Sequence, residues 1–123
     1  MRSRVFLVEQ PRRRDLDISG LAEFGETTCL FGPSDRRSSI FEARAFCDDV
    51  AQQSRRVAFD PANDYYALSG GLAVTCLGLA ALLEEYGKIR VLMYDAMRST
   101  YVSKEIGHDR EVQAPNETAS RAV

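Results

Sequence analysis

Ser69-Gly70-Gly71 stands directly before an apolar run, and Asp95 follows Gly71 by 24 positions. Glycines at a strand-to-helix turn let backbone amides approach a phosphate at the helix N-terminus, and an acid roughly twenty residues on holds a ribose hydroxyl. Ser69, Gly70, Gly71 and Asp95 are therefore the candidate ligand-binding residues of a nucleotide-binding α/β module. The fingerprint is incomplete, because only Gly70, Gly71 and the distant Gly78 are available for G-x-G-x-x-G, and no Walker lysine follows. A turn that simply needs glycine's backbone freedom accounts for the same residues.

A second chemistry is carried by Arg12-Arg13-Arg14. With Tyr65, Tyr66, Tyr94 and Tyr101 as stacking platforms, these arginines are candidates for nucleic-acid binding through phosphate contacts and base stacking. Arg36-Arg37 and Arg55-Arg56 form two further clusters, and all three fall between expected elements, where charge runs are usually solvated surface. The chain has 16 basic and 18 acidic side chains and a net charge of −2. That balance argues against a protein whose main task is neutralising phosphates.

Catalytic constellations are poor. The single histidine, His108, begins a polar tail, so a triad with Ser69 and Asp95 or Asp64 requires that tail to fold over the strand ends. Cys29, Cys47 and Cys76 are an odd number, separated by 18 and 29 residues, and fit neither a disulfide framework nor a zinc pattern. They read as small buried thiols, with Cys76 inside an apolar helix. Asp48-Asp49 and Glu84-Glu85 point in different directions on helices and read as solvated faces. No catalytic residue, no metal ligand set and no cofactor is expected. Arg2 and Arg4 precede only the four apolar residues 5–8, shorter than a secretion signal requires, which points to the cytoplasm. Residues 65–83 carry no charge, but Ser69-Gly70-Gly71 interrupts them, so they read as a buried strand, turn and helix rather than a membrane span.

The elements that must position these residues follow from patterning. Residues 4–10 form a β-branched and aromatic run stopped by Pro11, the first strand, β1. Residues 12–25 read as a loop with at most one helical turn, and residues 26–31 as β2, closed by Gly32-Pro33-Ser34-Asp35. Ser39 and Glu42 make a capping-box pattern for α1, in which Ala43, Phe46, Cys47 and Val50 form one apolar stripe. Residues 64–69 read as β3. The helix α2 spans residues 72–86 and ends at Gly87; it is apolar almost all round and is expected to be the more deeply buried helix. Its small residues Ala73, Gly78, Ala80 and Ala81 suit close approach to strands. Residues 88–95, the strongest strand pattern, form β4, and residues 101–106 form β5 as its hairpin partner. The fold expected is α/β, with two main helices on a small mixed sheet, in the order β1-β2-α1-β3-α2-β4-β5. Its core is parallel and it ends in an antiparallel C-terminal hairpin. Residues 1–106 make a single domain and 107–123 a disordered tail.

Four stretches carry a resemblance: Val5-Phe-Leu-Val-Glu-Gln-Pro11, Ala22-Glu-Phe-Gly25, Asp64-Tyr-Tyr-Ala-Leu-Ser-Gly70, and Gly87-Lys-Ile-Arg-Val-Leu-Met-Tyr-Asp95 followed by Tyr101-Val102. Together they resemble short uncharacterised proteins encoded by tailed bacteriophages and related mobile elements. The relatives often place an acidic residue and proline after the glycine where this chain has Gly71-Leu72, and a tryptophan where it has Tyr94. The resemblance implies a viral origin and carries over no catalytic residue. Joined to the lack of a catalytic constellation, it gives the expected function: a non-enzymatic accessory protein acting by contact with a host or phage protein in the bacterial cytoplasm, or with its own copies as a homo-oligomer. Nucleic-acid binding through Arg12, Arg13 and Arg14 is the alternative, alongside the nucleotide module.

Overall fold

The computed structural model describes residues 2–11 and 19–109. Its elements are β1 (Arg4–Glu9), a short 3-10 turn (Ser19–Glu23), β2 (Glu26–Phe31), α1 (Ala43–Arg56), β3 (Tyr65–Ala67), α2 (Leu72–Tyr86), β4 (Lys88–Asp95) and β5 (Thr100–Gly107), in the order expected from the sequence. They form one five-stranded sheet ordered β2-β1-β3-β4-β5. All neighbours are parallel except β4 and β5, whose antiparallel register runs from Lys88↔Gly107 to Asp95↔Thr100.

Strand β1 lies inside the sheet, and its sequence explains why. Val5, Phe6, Leu7 and Val8 are four consecutive buried apolar residues, the pattern of a strand covered on both faces. Phe6 and Val8 join Phe46, Val50, Tyr66, Leu82, Ile89 and Val91 in the core beneath the two helices. Val5 and Leu7 face the other way, with Ala67, Leu92 and Tyr101, under a thin cover of Leu21 and Phe24. Both helices lie on one face because right-handed crossovers from β2 to β3 and from β3 to β4 progress in the same direction across the sheet. They are tied by a 2.9 Å hydrogen bond between the Ser54 and Tyr86 hydroxyls, and by the exposed pairs Arg44–Glu84 and Arg55–Glu85.

At the amino end of the sheet, the buried Asp64 is a hub. Its carboxylate accepts from the Arg4 backbone N–H at 3.0 Å, the Asp60 N–H at 2.8 Å and the Arg4 guanidinium at 2.9 Å. Arg4 also donates to the carbonyls of Val57 and Ala58. These bonds join the start of β1 to the loop that enters β3.

Four expectations need correction. The capping box does not form: a separate turn, closed by Glu42 N–H on the Ser39 carbonyl, moves the N-cap to Glu42, and the Ser39 hydroxyl accepts from Phe41 instead. Strand β3 is three residues long rather than six, because Asp64 is engaged by Arg4 and the chain turns away at Ser69. Gly107 closes β5 with φ +92° rather than opening a tail, and residues 110–123 lie outside the described residues. Finally, α2 is not buried all round, and it is not clearly deeper than α1, which has more fully buried residues while α2 has fewer exposed ones. Only Gly78, Ala81 and Leu82 are fully buried on it, while Leu72, Ala73, Cys76 and Ala80 are exposed. The reason is geometric: the sheet takes one side and α1 one flank, and no described residue covers the rest.

Candidate functional site at the carboxyl edge of the sheet

The chain leaves β1 toward β2 on one side and places β3 on the other, so the order reverses between β1 and β3. Open α/β sheets form a crevice at such a point, beyond the carboxyl ends of the strands. Here the crevice has a volume of about 350 Å³. The end of β1 supplies Val8, Glu9, Gln10 and Pro11; the β2–α1 connection supplies Arg37 and Ile40; the β3–α2 turn supplies Ser69, Gly70 and Gly71, followed by Val74 and Thr75 of α2. A second cavity of about 550 Å³ lies on the opposite side of the same turn, lined by Tyr94, Tyr101, Ser99 and Thr100 among others, and it shares Ser69 and Gly70 with the first. The turn is thus a partition between two hollows.

Local chemistry shapes that turn. Gly70 adopts φ +113°, a conformation that side chains rarely tolerate. Gly71 is the N-cap of α2, in an extended conformation with no side-chain cap, and its carbonyl accepts the first helical bond from Thr75 at 2.9 Å. Thr75 is anchored from below: its carbonyl accepts from the Tyr66 hydroxyl at 2.7 Å, and its own hydroxyl donates to the Ser69 carbonyl. Burial pushes the Tyr66 phenol well above the ordinary tyrosine range.

Arg37 and Glu9 form the charged part of the crevice. Arg37 Nε donates to Glu9 Oε1 at 2.6 Å and Nη2 to Oε2 at 3.2 Å, while Nη1 donates to the Ser38 carbonyl at 3.0 Å. The guanidinium lies 5.1 Å from the centre of the Phe46 ring. Four contacts therefore fix one long side chain.

Of the residues singled out by sequence, Ser69, Gly70 and Gly71 come together in the crevice. Asp95 lines neither hollow. Its carboxylate accepts from the backbone of Met97 at 3.0 Å and Arg98 at 3.3 Å, closing the β4–β5 turn. Arg12, Arg13 and Arg14 lie outside the described residues. Glu9, Ile40 and Val74 went unmarked in the sequence, and Arg37 read only as loop charge; no local pattern relates Glu9 to a residue 28 positions away. The cysteines divide by environment. Cys47 is buried and Cys29 half-buried, and burial raises both thiols, whereas Cys76, expected inside the core, is exposed on the outer side of α2. Among the described residues, no His, Cys, Asp or Glu group is arranged to hold a metal ion, and no helix is long and apolar enough to cross a membrane.

The same edge gathers exposed apolar side chains. Phe41 (91% exposed) adjoins Ile40, Leu72 (80%) adjoins Gly71, Tyr94 (55%) lines the second hollow, and Met97 (98%) occupies the turn after β4. Met93 (43%) lies near the end of the same strand. Every large apolar side chain exposed among the described residues thus lies at or near the carboxyl edge.

No curated protein and no solved structure matches the chain. Residues 3–108 match the Phage Pam3 gp32-like protein family. That span takes in every described strand and helix and both hollows, and the chain belongs to that phage protein family.

Proposed function

We propose that this phage-family chain is a non-enzymatic accessory protein that docks another protein, in the bacterial cytoplasm, through the carboxyl edge of its sheet. The observation that carries the reading is that Phe41, Leu72, Met93, Tyr94 and Met97, the large apolar side chains exposed among the described residues, all belong to segments at or near that edge. Apolar residues scattered singly over a surface are ordinary, whereas a gathered patch marks an interaction surface. Tyrosine, phenylalanine and methionine are also the types enriched at protein interfaces.

The test compares the wild-type chain with a Phe41→Ser, Leu72→Ser, Met97→Ser variant, both immobilised in extracts of infected cells. All three side chains are exposed, so the variant is expected to keep the wild-type circular dichroism spectrum. A protein retained by the wild-type chain and lost by the variant supports docking at this edge. Identical captures by both overturn it. Light scattering on the same two preparations identifies a second copy as the partner if a concentration-dependent dimer is lost in the variant.

A further inference from the structure

The crevice between β1 and β3 sets a charged pair against an aliphatic wall, and that combination has its own ligand chemistry. Val8, Ile40 and Val74 form the wall, and Arg37 with Glu9 forms the pair. A guanidinium carries five N–H donors, and Arg37 uses three of them on Glu9 and Ser38. A carboxylate offers about four acceptor positions, of which Arg37 occupies two at Glu9. Among the described residues, the pair therefore keeps unused donors and unused acceptors side by side, at zero net charge. Its Phe46 contact and backbone bond hold Arg37 in place before any ligand arrives, so little side-chain freedom is left to lose on binding.

We propose that this crevice binds a small zwitterion with an aliphatic body, an α-amino acid of the leucine or valine type or a dipeptide of such residues. The ligand carboxylate meets Arg37, its ammonium meets Glu9, and its side chain lies on Val8, Ile40 and Val74. The volume of about 350 Å³ suits a ligand of that size, at the lower end of small-molecule sites, which run from about 300 to 1,000 Å³. A nucleotide fits less well. Among the described residues lining it, the paired charges leave no excess positive charge for a polyphosphate and no aromatic side chain offers a base a stacking surface, while the Asp95 carboxylate closes its own turn. The docking edge is a separate matter, since Phe41 and Leu72 stand outside the crevice.

Nuclear magnetic resonance titration of the full chain with L-leucine tests the site, with isocaproate (no ammonium), isoamylamine (no carboxylate) and ATP as comparison probes. Leucine is expected to shift the amide resonances of Gly70, Gly71 and Val74 saturably. Isocaproate and isoamylamine are each expected to bind about tenfold or more weakly, the effect of losing one charge-assisted contact. Arg37→Gln and Glu9→Gln should each weaken leucine binding by a similar factor. Gly71→Leu should block it while leaving the ion pair in place, because an added side chain there meets open space and the backbone conformation is ordinary. If either charge variant misfolds, Gly71→Leu still decides. Absence of a saturable shift with leucine, equal binding of isocaproate, or tighter binding of ATP overturns the proposal.

Discussion

Tyr66 shows how one buried polar atom links the fold to the crevice. Its hydroxyl donates to Thr75 at the start of α2, and its phenol resists ionisation because burial disfavours the charged form. In the unfolded chain the same phenol ionises near pH ~10. The folded pKa is the higher one, so this contribution to stability is complete below about pH 10 and is lost as pH rises beyond it. Ultraviolet titration of phenolate is expected to show at least one tyrosine silent until the chain unfolds. Tyr66→Phe should remove that silent group and flatten the alkaline fall in melting temperature. Asp64 makes a second residue-scale case. Asp64→Ala strands the Arg4 and Asp60 N–H donors, and chemical denaturation should show a loss of about 3 kcal/mol, with Asp64→Asn losing less. The thiols give a third. Iodoacetamide should alkylate Cys76 first, and mass spectrometry showing Cys47 reacting as fast would contradict the burial described for it.

At the scale of elements, α2 rests on the sheet at Gly78. A Cβ at that position would lie 2.5 Å from the Tyr66 hydroxyl and 2.6 Å from Val8 Cγ2. Gly78→Ala gains up to about 1 kcal/mol of helix propensity but overpacks a contact with little room to give, at a cost of about 1–3 kcal/mol. The expected net result is a destabilised chain, read as a lower melting temperature; a raised one would mean that the helix can lift. This element also shows what sequence can and cannot reveal. The existence of α2 and its start at Leu72 were legible, because Gly71 and Gly87 bracket a run that is almost wholly apolar as far as Leu83. Its burial was not, because composition counts apolar residues without saying how many neighbours there are to cover them. The same limit explains α1. Its stripe at Phe46, Cys47 and Val50 was readable from spacing, whereas the Ser39 cap was lost to a turn that spacing alone does not distinguish from a helix start.

For the whole molecule, the parallel order and the C-terminal hairpin follow from alternation and crossover handedness, both present in the sequence. The crevice depends on which strand β1 separates from β3, and on Arg37 reaching Glu9, which are long-range facts. Charge is the whole-molecule property that bears on partners. Arg4, Arg37, Arg44, Arg55, Lys88 and Arg98 all face carboxylates, and the net charge is −2. The chain is therefore expected to flow through a single-stranded DNA column at about 50 mM salt. Retention that is lost when Arg12, Arg13 and Arg14 are all replaced by alanine would reverse that expectation.

The position of β1 has a consequence for synthesis. The ribosome makes this inner strand before either of its partners, Glu26–Phe31 and Tyr65–Ala67, so one neighbour arrives some twenty residues later and the other some sixty. At translation rates of about 5–20 residues per second, Val5-Phe6-Leu7-Val8 waits several seconds as an uncovered adhesive segment on the nascent chain. Chains arrested before residue 64 should associate or recruit chaperones, whereas chains released after residue 108 should fold, and the step between them should fall where Tyr65 and Tyr66 emerge to pair with Val5 and Phe6.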